Sequence, residues 1–374
     1  MNFKLGATSN LARAGKIFTE HGEIETPMFM PVGTQASVKA VRIDQLNEVN
    51  AQIILGNTYH LYLRPGTNVI EKFGGLHKFM NWKKPILTDS GGYQVFSLSE
   101  KRKIFNNGVE FISHLDGSKH FFTPTSVIDI ERSLGSDIMM VLDECPPFPC
   151  DEKYIKKSVE MTIRWASESK KYFLETENKY NHKQQLFGIV QGGVYKNFRI
   201  ECAKKIIDLD FNGNAIGGLA IGEPADVMYE VLDYTIPELP KEKVRYVMGV
   251  GTPENLVECI SRGADIFDCV LPTRNARNGQ LFTKNGKLNI RNAKYSKDEN
   301  AIDSSCNCFT CKNHSRGYLR HLFNSKELLA YNLATTHNLH FYISLMKEAR
   351  QNILQNNFLD WKKTFLSNLN KNRN

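Results

Sequence analysis

A repeated order of segments in the first three quarters of the chain restricts its fold more than any other feature. A short apolar run ends in a cluster of glycine and polar residues, and a segment of helix length follows. Eight such runs occur: Met28–Val32, Ile53–Gly56, Ile86–Thr88, Ile138–Leu142, Leu186–Val190, Ala215–Gly218, Val244–Met248 and Ala264–Phe267. Continuous apolar runs are typical of strands buried on both faces, and their alternation with helices indicates parallel pairing.

Eight strand-helix units predict an α/β fold, a closed (β/α)8 or TIM barrel, with residues 1–374 as a single domain. A doubly wound open sheet is the alternative, although no Gly-x-Gly-x-x-Gly loop opens the first helix. In a barrel the functional groups gather at the C-terminal ends of the strands. The polar clusters that follow the apolar runs therefore predict an active site at that end.

A cluster of cysteines predicts a metal site. Cys306, Cys308, Cys311 and His337 form the pattern Cys-x-Cys-x2-Cys-x25-His. Three thiolates and an imidazole are ligands of tetrahedral Zn²⁺ in a closed structural site, whereas a catalytic zinc keeps one position open. Disulfides are the competing interpretation, but a Cys-x-Cys pair is too cramped to bridge easily. We therefore expect one structural Zn²⁺ per chain.

Three segments depart from the strand-helix repeat. Turn signals in Phe3–Glu25 and Lys101–Phe122 predict β-hairpins that cap the barrel, and Gln280–Ile290 predicts another hairpin. The cysteine cluster follows, and the last helix is expected at about Thr336–Leu369. These features predict a zinc-binding insertion over residues 280–336 and a C-terminal helical segment over 337–374 that completes the barrel.

The composition indicates a protein of the cytoplasm. The other five cysteines are scattered, which fits a reducing compartment, and nothing at Met1 resembles a signal sequence. The mean hydropathy is −0.38, and no stretch approaches the ~20 apolar residues that span a bilayer. We expect a soluble protein with no membrane partner.

The net charge of +8 is unevenly distributed. Residues 274–374 hold 17 Lys/Arg and 6 Asp/Glu, a net charge of +11, whereas residues 1–273 hold 31 and 34, a net charge of −3. A solvated basic face would explain this, but so large an asymmetry favours a polyanionic partner such as a nucleic acid.

Three aspartates, Asp89, Asp143 and Asp268, follow predicted strands. Carboxylates on neighbouring strand ends can act as nucleophile and acid/base at an oxocarbenium-like sugar centre. The alternative is that each aspartate only caps the following helix. The presence of Tyr93, Gln191 and pairs of glycines beside them favours a site.

Five motifs resemble those of bacterial tRNA-guanine transglycosylases, the queuine tRNA-ribosyltransferase family. They are TDSGGYQ at residues 88–94, LDEC at 142–145, VQGG at 190–193, GGLAIGE at 217–223 and FDCVLPTRNAR at 267–277. The zinc pattern matches as well, and the resemblance covers essentially the whole chain. It implies exchange of guanine at the wobble position of a tRNA anticodon loop (GUN anticodons of the Asp, Asn, His and Tyr tRNAs) for a 7-deazaguanine base in queuosine biosynthesis.

The resemblance also implies a role for individual residues. It makes Asp268 the nucleophile and Asp89 the general acid/base, and it places the RNA near Arg274 and Arg277, for which ordinary surface arginines are the alternative. The base pocket that it implies is formed by Asp143, Gln191, Gly218, Leu219, Tyr93, Met248, Ser90, Cys145, Ile221 and Glu223.

Three further expectations follow from the resemblance. It implies a homodimer, and the lack of an added C-terminal RNA-binding domain favours the bacterial type. Cys145 and Ile221 go with the small substrate 7-aminomethyl-7-deazaguanine rather than with queuine. Two other classes stay open: a nucleic-acid-binding protein on an inert barrel, and a metal-dependent hydrolase, which the closed set of four metal ligands disfavours.

Overall fold

Strands and helices alternate along the chain in the computed structural model, which describes residues 2–98 and 102–370. The strands in chain order are β1 (Phe3–Ser9), β2 (Ala12–Thr19), β3 (Gly22–Thr26), β4 (Met28–Met30), β5 (Val32–Gly33), β6 (Ile54–Asn57), β7 (Ile86–Asp89), β8 (Arg102–Phe105), β9 (Gly108–Ile112), β10 (Lys119–Phe122), β11 (Ile138–Met140), β12 (Gln185–Val190), β13 (Gly213–Ile216), β14 (Val244–Val247), β15 (Ile266–Asp268), β16 (Gln280–Thr283) and β17 (Gly286–Asn289).

The helices occupy most of the segments between the barrel strands and most of residues 309–370. In chain order they are α1 (Ile43–Glu48), α2 (Thr58–Leu63), α3 (Thr67–Lys72), α4 (Leu76–Met80), α5 (Gly92–Leu98), α6 (Pro124–Leu134), α7 (Glu152–Glu175), α8 (Lys196–Asp208), α9 (Ala225–Thr235), α10 (Pro253–Ser261), α11 (Leu271–Arg277), α12 (Phe309–Asn313), α13 (Arg316–Asn324), α14 (Leu328–Leu354) and α15 (Phe358–Asn370). No helix in the described ranges combines the length and apolar character needed to cross a bilayer.

The central sheet is parallel and closes on itself. Its order is β4-β15-β14-β13-β12-β11-β7-β6-β5, and β4 and β5 are two parts of one predicted strand divided at Pro31. β4 pairs with β15 while β5 pairs with β6, so the first strand serves both of its neighbours. Proline has no amide hydrogen to donate, which explains the break. The predicted barrel is confirmed, and the open doubly wound sheet is wrong.

The barrel strands are buried on both faces, as their continuous apolar runs predict. Every residue of β6, β7, β12, β13 and β14 is buried. Side-chain oxygens fix where several of the surrounding helices begin: Thr123 accepts a hydrogen bond from the Ser126 amide before α6, and Thr252 accepts one from Asn255 before α10.

The segments added to the barrel are larger than predicted. β1, β2 and β3 form an antiparallel sheet, as do β8, β9 and β10, where a hairpin was expected in each segment. Lys101, the first residue of the second expected hairpin, lies outside the described residues. The first sheet covers the amino-terminal end of the barrel, since Gln185 at the start of β12 donates to the Phe18 carbonyl at 2.6 Å. The third predicted hairpin is formed by β16 and β17.

The C-terminal helix differs from the prediction. Where one helix was expected at about Thr336–Leu369, the chain forms α14 and α15, and α14 already begins at Leu328. The break between them lies at Asn356, whose positive φ of 54° ends the first helix. Residues 336 and 337, the predicted boundary of the zinc-binding insertion, lie within α14, and the division itself stays a prediction.

Candidate active site

A cavity of about 710 Å³ opens at the carboxyl ends of the barrel strands. It lies where the barrel fold predicts a site, and it brings together residues that are far apart in the sequence. All of the predicted catalytic, base-binding and RNA-binding residues line it: Asp89, Ser90, Tyr93, Asp143, Cys145, Gln191, Gly218, Leu219, Ile221, Glu223, Met248, Asp268, Arg274 and Arg277.

Asp89 is buried at the end of β7 and accepts several hydrogen bonds. The Asn57 and Gln94 side-chain amides donate to Oδ2 at 2.7 and 3.1 Å, and the Thr58 amide donates to Oδ1 at 3.1 Å. Burial nevertheless raises the pKa of Asp89 to about 7, and the charge of Asp268 adds to the increase. The carboxyl group can therefore exchange a proton at neutral pH.

Asp268 is half-buried at the end of β15 and is held through one oxygen. The Tyr246 hydroxyl donates to Oδ1 at 2.6 Å, and the Gly249 amide donates to the same atom at 2.9 Å. Burial raises the pKa of Asp268, and these two donors oppose that increase. Oδ2 receives no hydrogen bond from the described residues, so it is the oxygen available to a ligand.

Asp143 and Gln191 face each other across the cavity floor. Gln191 Nε2 donates to Asp143 Oδ2 at 2.6 Å, and the Ser90 hydroxyl donates to Oδ1 at 3.4 Å. Burial raises the pKa of Asp143 to about 6. The buried Gln191 Oε1 has no hydrogen-bond partner among the described residues. A planar ligand with neighbouring donors and acceptors would satisfy this pair.

The loops after β12 and β13 are fixed by a buried arginine of α8. The Arg199 guanidinium donates to the carbonyls of Val190 and Gly217 at 2.9 and 2.8 Å, and its Nε donates to the Gly193 carbonyl at 2.8 Å. Gly218 has a φ of +65°, and a Cβ there would lie 2.4 Å from Gln191 Oε1. Only glycine fits at this position without displacing Gln191.

Glu223 shapes the loop that follows Leu219. Its carboxylate accepts hydrogen bonds from the amides of Ala220 and Ile221, the latter at 3.1 Å. Ile221 is half-buried at the cavity wall. Cys145 is buried opposite this loop, and burial raises the pKa of its thiol, so the group is neutral. These side chains limit the space at that end of the cavity.

The mouth of the cavity carries an aromatic ring and two arginines. Tyr93 is 47% exposed and Met248 is half-buried. Arg274 is exposed on α11, directly after Asp268, and Arg277 donates to the Thr273 carbonyl at 2.9 Å. Exposed rings and arginines at a cavity mouth suit contacts with bases and phosphates.

Comparison with known proteins decides the family. The family model described as queuine tRNA-ribosyltransferase matches residues 8–371. A queuine tRNA-ribosyltransferase of Caldanaerobacter subterraneus is 60% identical over 97% of this chain and 95% of its own length. Proteins of the same name from Ruminiclostridium cellulolyticum (56%, covering 95% and 94%) and Natranaerobius thermophilus (53%, covering 98% and 99%) are also similar. The chain belongs to the queuine tRNA-ribosyltransferase family. The predicted family is thereby confirmed.

The four predicted metal ligands of this queuine tRNA-ribosyltransferase family member also come together in the structure. Cys306, Cys308, Cys311 and His337 form a group that could hold a metal ion. The three sulfurs lie 3.8, 3.5 and 3.3 Å from His337 Nδ1, and His337 Nε2 is 2.8 Å from the Phe282 carbonyl. A carbonyl partner on the far nitrogen is usual for a metal-binding histidine. The four residues fit a tetrahedral site.

Several residues that support the site in this family member were not predicted. Asn57 and Gln94 lie in the polar clusters that follow the apolar runs Ile53–Gly56 and Ile86–Thr88, so the sequence does carry a signal for them. Tyr246 lies in a buried strand, where an aromatic residue indicates core packing, and Arg199 lies on an ordinary helix. Nothing in the sequence distinguishes these two from structural residues.

Proposed function

We propose that this chain is a tRNA-guanine transglycosylase that replaces guanine at the wobble position of GUN anticodons with 7-aminomethyl-7-deazaguanine, in the biosynthesis of queuosine. The observation that carries the proposal is the pairing of two carboxyl groups in one cavity. Asp268 Oδ2 receives no hydrogen bond from the part of the chain that the structure describes, and burial raises the pKa of Asp89 to about 7. The family supports the same assignment.

The first displacement breaks the glycosidic bond. Asp268 Oδ2 attacks C1′ of the ribose, the bond from C1′ to the purine nitrogen breaks, and Asp89 gives its proton to the departing guanine. The donors on Asp268 Oδ1, Tyr246 and Gly249, orient the carboxylate and stabilise its charged form. The RNA remains attached to the protein as a glycosyl ester, and no strand is broken.

The second displacement releases the RNA. Asp89, now ionised, takes the proton from the ring nitrogen of the incoming base, which attacks C1′ and displaces Asp268. Two inversions give net retention of configuration, as in retaining glycosidases. A pKa of about 7 suits Asp89 because the same group must give and take a proton.

The base is recognised on the floor of the cavity. The Asp143 carboxylate accepts hydrogen bonds from N1–H and the exocyclic amine, while Gln191 and the Gly218 amide donate to the other edge. One proton of Gln191 Nε2 already serves Asp143, so the second proton or a rotation of the amide serves the base. Tyr93 and Met248 stack on the ring, which contributes about 1–3 kcal/mol per base.

The far end of the pocket accommodates the aminomethyl group. Glu223 holds the amides of Ala220 and Ile221, which leaves the Leu219 carbonyl to accept a hydrogen bond from the ammonium. Ser90 supports Asp143. Cys145 and Ile221 restrict the volume, which favours this substrate over queuine.

The RNA contacts the mouth of the cavity. The wobble nucleotide must leave the stack of the anticodon loop to reach Asp268, as is general for enzymes that act on a base. Arg274 and Arg277 bind neighbouring phosphates or bases, and the basic C-terminal region supplies further attraction. We place the enzyme in the cytoplasm, with its tRNA, as a homodimer.

Zinc has a structural role in this proposal. A Cys₃His set offers no open position for a substrate, and its ligands join α12 and the loop before it to α14. One ion per chain would hold these elements together, and it supplies no chemistry to the cavity.

Trapping of the covalent intermediate tests the reaction. Protein incubated with tRNA and quenched with denaturant should give a protein-RNA adduct, whereas Asp268→Asn should give none and lose guanine exchange by at least about a thousandfold, as nucleophile removal typically costs. Asp226→Asn, on the exposed start of α9, is the matched control and should behave as wild type.

The same assay separates the alternatives. An adduct of equal yield in Asp268→Asn would exclude this assignment, and an inactive wild type that binds RNA would favour a binding protein. A metal-dependent hydrolase would lose its chemistry on chelation while keeping its fold.

A further inference from the structure

Three histidines surround a buried carboxylate at the amino-terminal end of the barrel, opposite the cavity. His21 lies in the turn between β2 and β3, His77 in α4, and His182 in the segment before β12. Asp137 immediately precedes β11, and its Oδ2 accepts a hydrogen bond from the amide of Ile86, the first residue of β7, at 2.9 Å. The proposed transglycosylase reaction makes no use of this cluster.

Each histidine has one ring nitrogen engaged with an oxygen that can only accept. His21 Nδ1 and His77 Nε2 lie 2.8 and 3.1 Å from the two oxygens of Asp137, and His182 Nε2 lies 3.0 Å from the Gly135 carbonyl. Those nitrogens therefore carry the protons. In neutral imidazoles the opposite atoms, His21 Nε2, His77 Nδ1 and His182 Nδ1, hold free lone pairs.

The three histidines also lie close to one another. One ring nitrogen from each of the three histidines lies within 4.8 Å of one ring nitrogen from each of the other two.

We propose that His21, His77 and His182 form a second metal site, which takes a divalent transition-metal ion of the zinc type with solvent in the fourth position. Imidazole suits such ions, and a carboxylate or carbonyl on the far nitrogen is the usual support of a metal-binding histidine. The rings of His21 and His77 are stacked at 3.6 Å, so one of them turns to direct its lone pair at the ion.

The position of the ligands gives the ion a structural effect. The side chain of His21 is 24% exposed, which gives the ion an entry path. Bound metal would connect the capping sheet of β1, β2 and β3 to α4 and to the segment before β12. Because it is open to solvent, this site should release zinc on dialysis more readily than the closed Cys₃His site.

Metal counting on the full chain, without a polyhistidine tag and with its Cys₃His zinc in place, tests the proposal. After addition of excess ZnCl₂ and removal of free ion, wild type should hold two zinc ions per chain, and its melting temperature should rise relative to dialysed protein. His182→Gln and His77→Gln should hold one ion and show no rise. His120→Gln, a histidine of β10 outside the cluster, should behave as wild type.

Guanine exchange checks that the variants fold, because their cluster lies at the opposite end of the barrel from the cavity. A wild type that holds one ion at saturating zinc, or an active His182→Gln that holds two, would overturn the proposal. The cluster would then be only a hydrogen-bond network around Asp137.

Discussion

At the scale of the residue, Asp89 illustrates how a site can be built against the preference of its own side chain. Hydrogen bonds from Asn57, Thr58 and Gln94 favour the charged form, yet burial outweighs them and the pKa rises to about 7. Between the ordinary pKa of an aspartate and this raised value, the folded protein holds a proton at Asp89 that the unfolded chain would release. The reactivity of the site therefore has a cost in stability.

The raised pKa of Asp89 predicts that the free energy of unfolding depends on pH. Between about pH 4 and pH 7 the folded state binds more protons at Asp89 than the unfolded state, so the free energy of unfolding falls as the pH rises, by at most on the order of 4 kcal/mol from this group. Asp89→Asn removes the titration. Denaturant unfolding of both proteins at several pH values should therefore show a steeper decline for wild type. Parallel curves would contradict the raised pKa.

The position of Ile221 at the cavity wall predicts a preference for 7-aminomethyl-7-deazaguanine over queuine. If its side chain closes the pocket, wild type should incorporate 7-aminomethyl-7-deazaguanine well and queuine poorly, and Ile221→Gly should raise the relative kcat/KM for queuine about tenfold or more, since apolar pockets discriminate small volume differences by about 10–200-fold. Ile221→Val is the matched control with little change in volume, and Ile221→Ala tests the loss of bulk without added backbone freedom.

Competition of the two bases for one tRNA gives the measurement. Comparable efficiencies for both bases in the unmodified protein would remove this explanation of specificity while leaving the transglycosylase proposal intact.

At the scale of the element, the barrel strands could be predicted because each is apolar, short and followed by a polar cluster. The C-terminal helices could not be placed, because their boundaries depend on local features: the left-handed Asn356 ends α14, and its first residues, Leu328 and Leu329, are exposed although apolar. The third strand of each added sheet was also missed, since a strand that completes a small sheet is defined by its partner.

The residues of the candidate site also fall into two groups, those that could be predicted from the sequence and those that could not. Residues of the strand-end motifs could be predicted because their spacing is local. Tyr246, Arg199 and the cluster of His21, His77 and His182 could not, because each acts on groups from distant parts of the sequence that only the fold brings together.

The metal module gives a prediction about an element. Cys308 contributes one sulfur to the group and also accepts the Cys311 amide at the start of α12. Cys308→Ala should lose the zinc that dialysed wild type retains, and with it much of the ~10–16 kcal/mol of apparent binding energy typical of structural zinc. Metal analysis and melting temperature would show this loss. Cys150→Ala, outside the group, is the control; a metal-free Cys308→Ala protein of normal stability and full activity would disprove the structural role.

At the scale of the whole molecule, the +11 charge of residues 274–374 predicts salt-dependent binding of tRNA. The logarithm of the association constant should fall linearly with the logarithm of salt concentration, and Arg274→Ala should reduce the slope by about 0.7–1. Lys241→Ala, exposed before β14 at the opposite end of the barrel, should leave the slope unchanged. Equal slopes for all three proteins would exclude Arg274 from the RNA contact.

The pairing of the first part of the divided strand with the last barrel strand has a consequence for folding during synthesis. β4 pairs with β15, so the sheet cannot close until a segment made early in synthesis meets one made late. Such long-range pairing makes folding slow, since distant parts of the chain must meet before their contacts form. Asp268 ends the strand that completes this closure, paired with Met30. A chain in which this pairing has not formed therefore lacks the correctly placed Asp268 on which the proposed reaction depends.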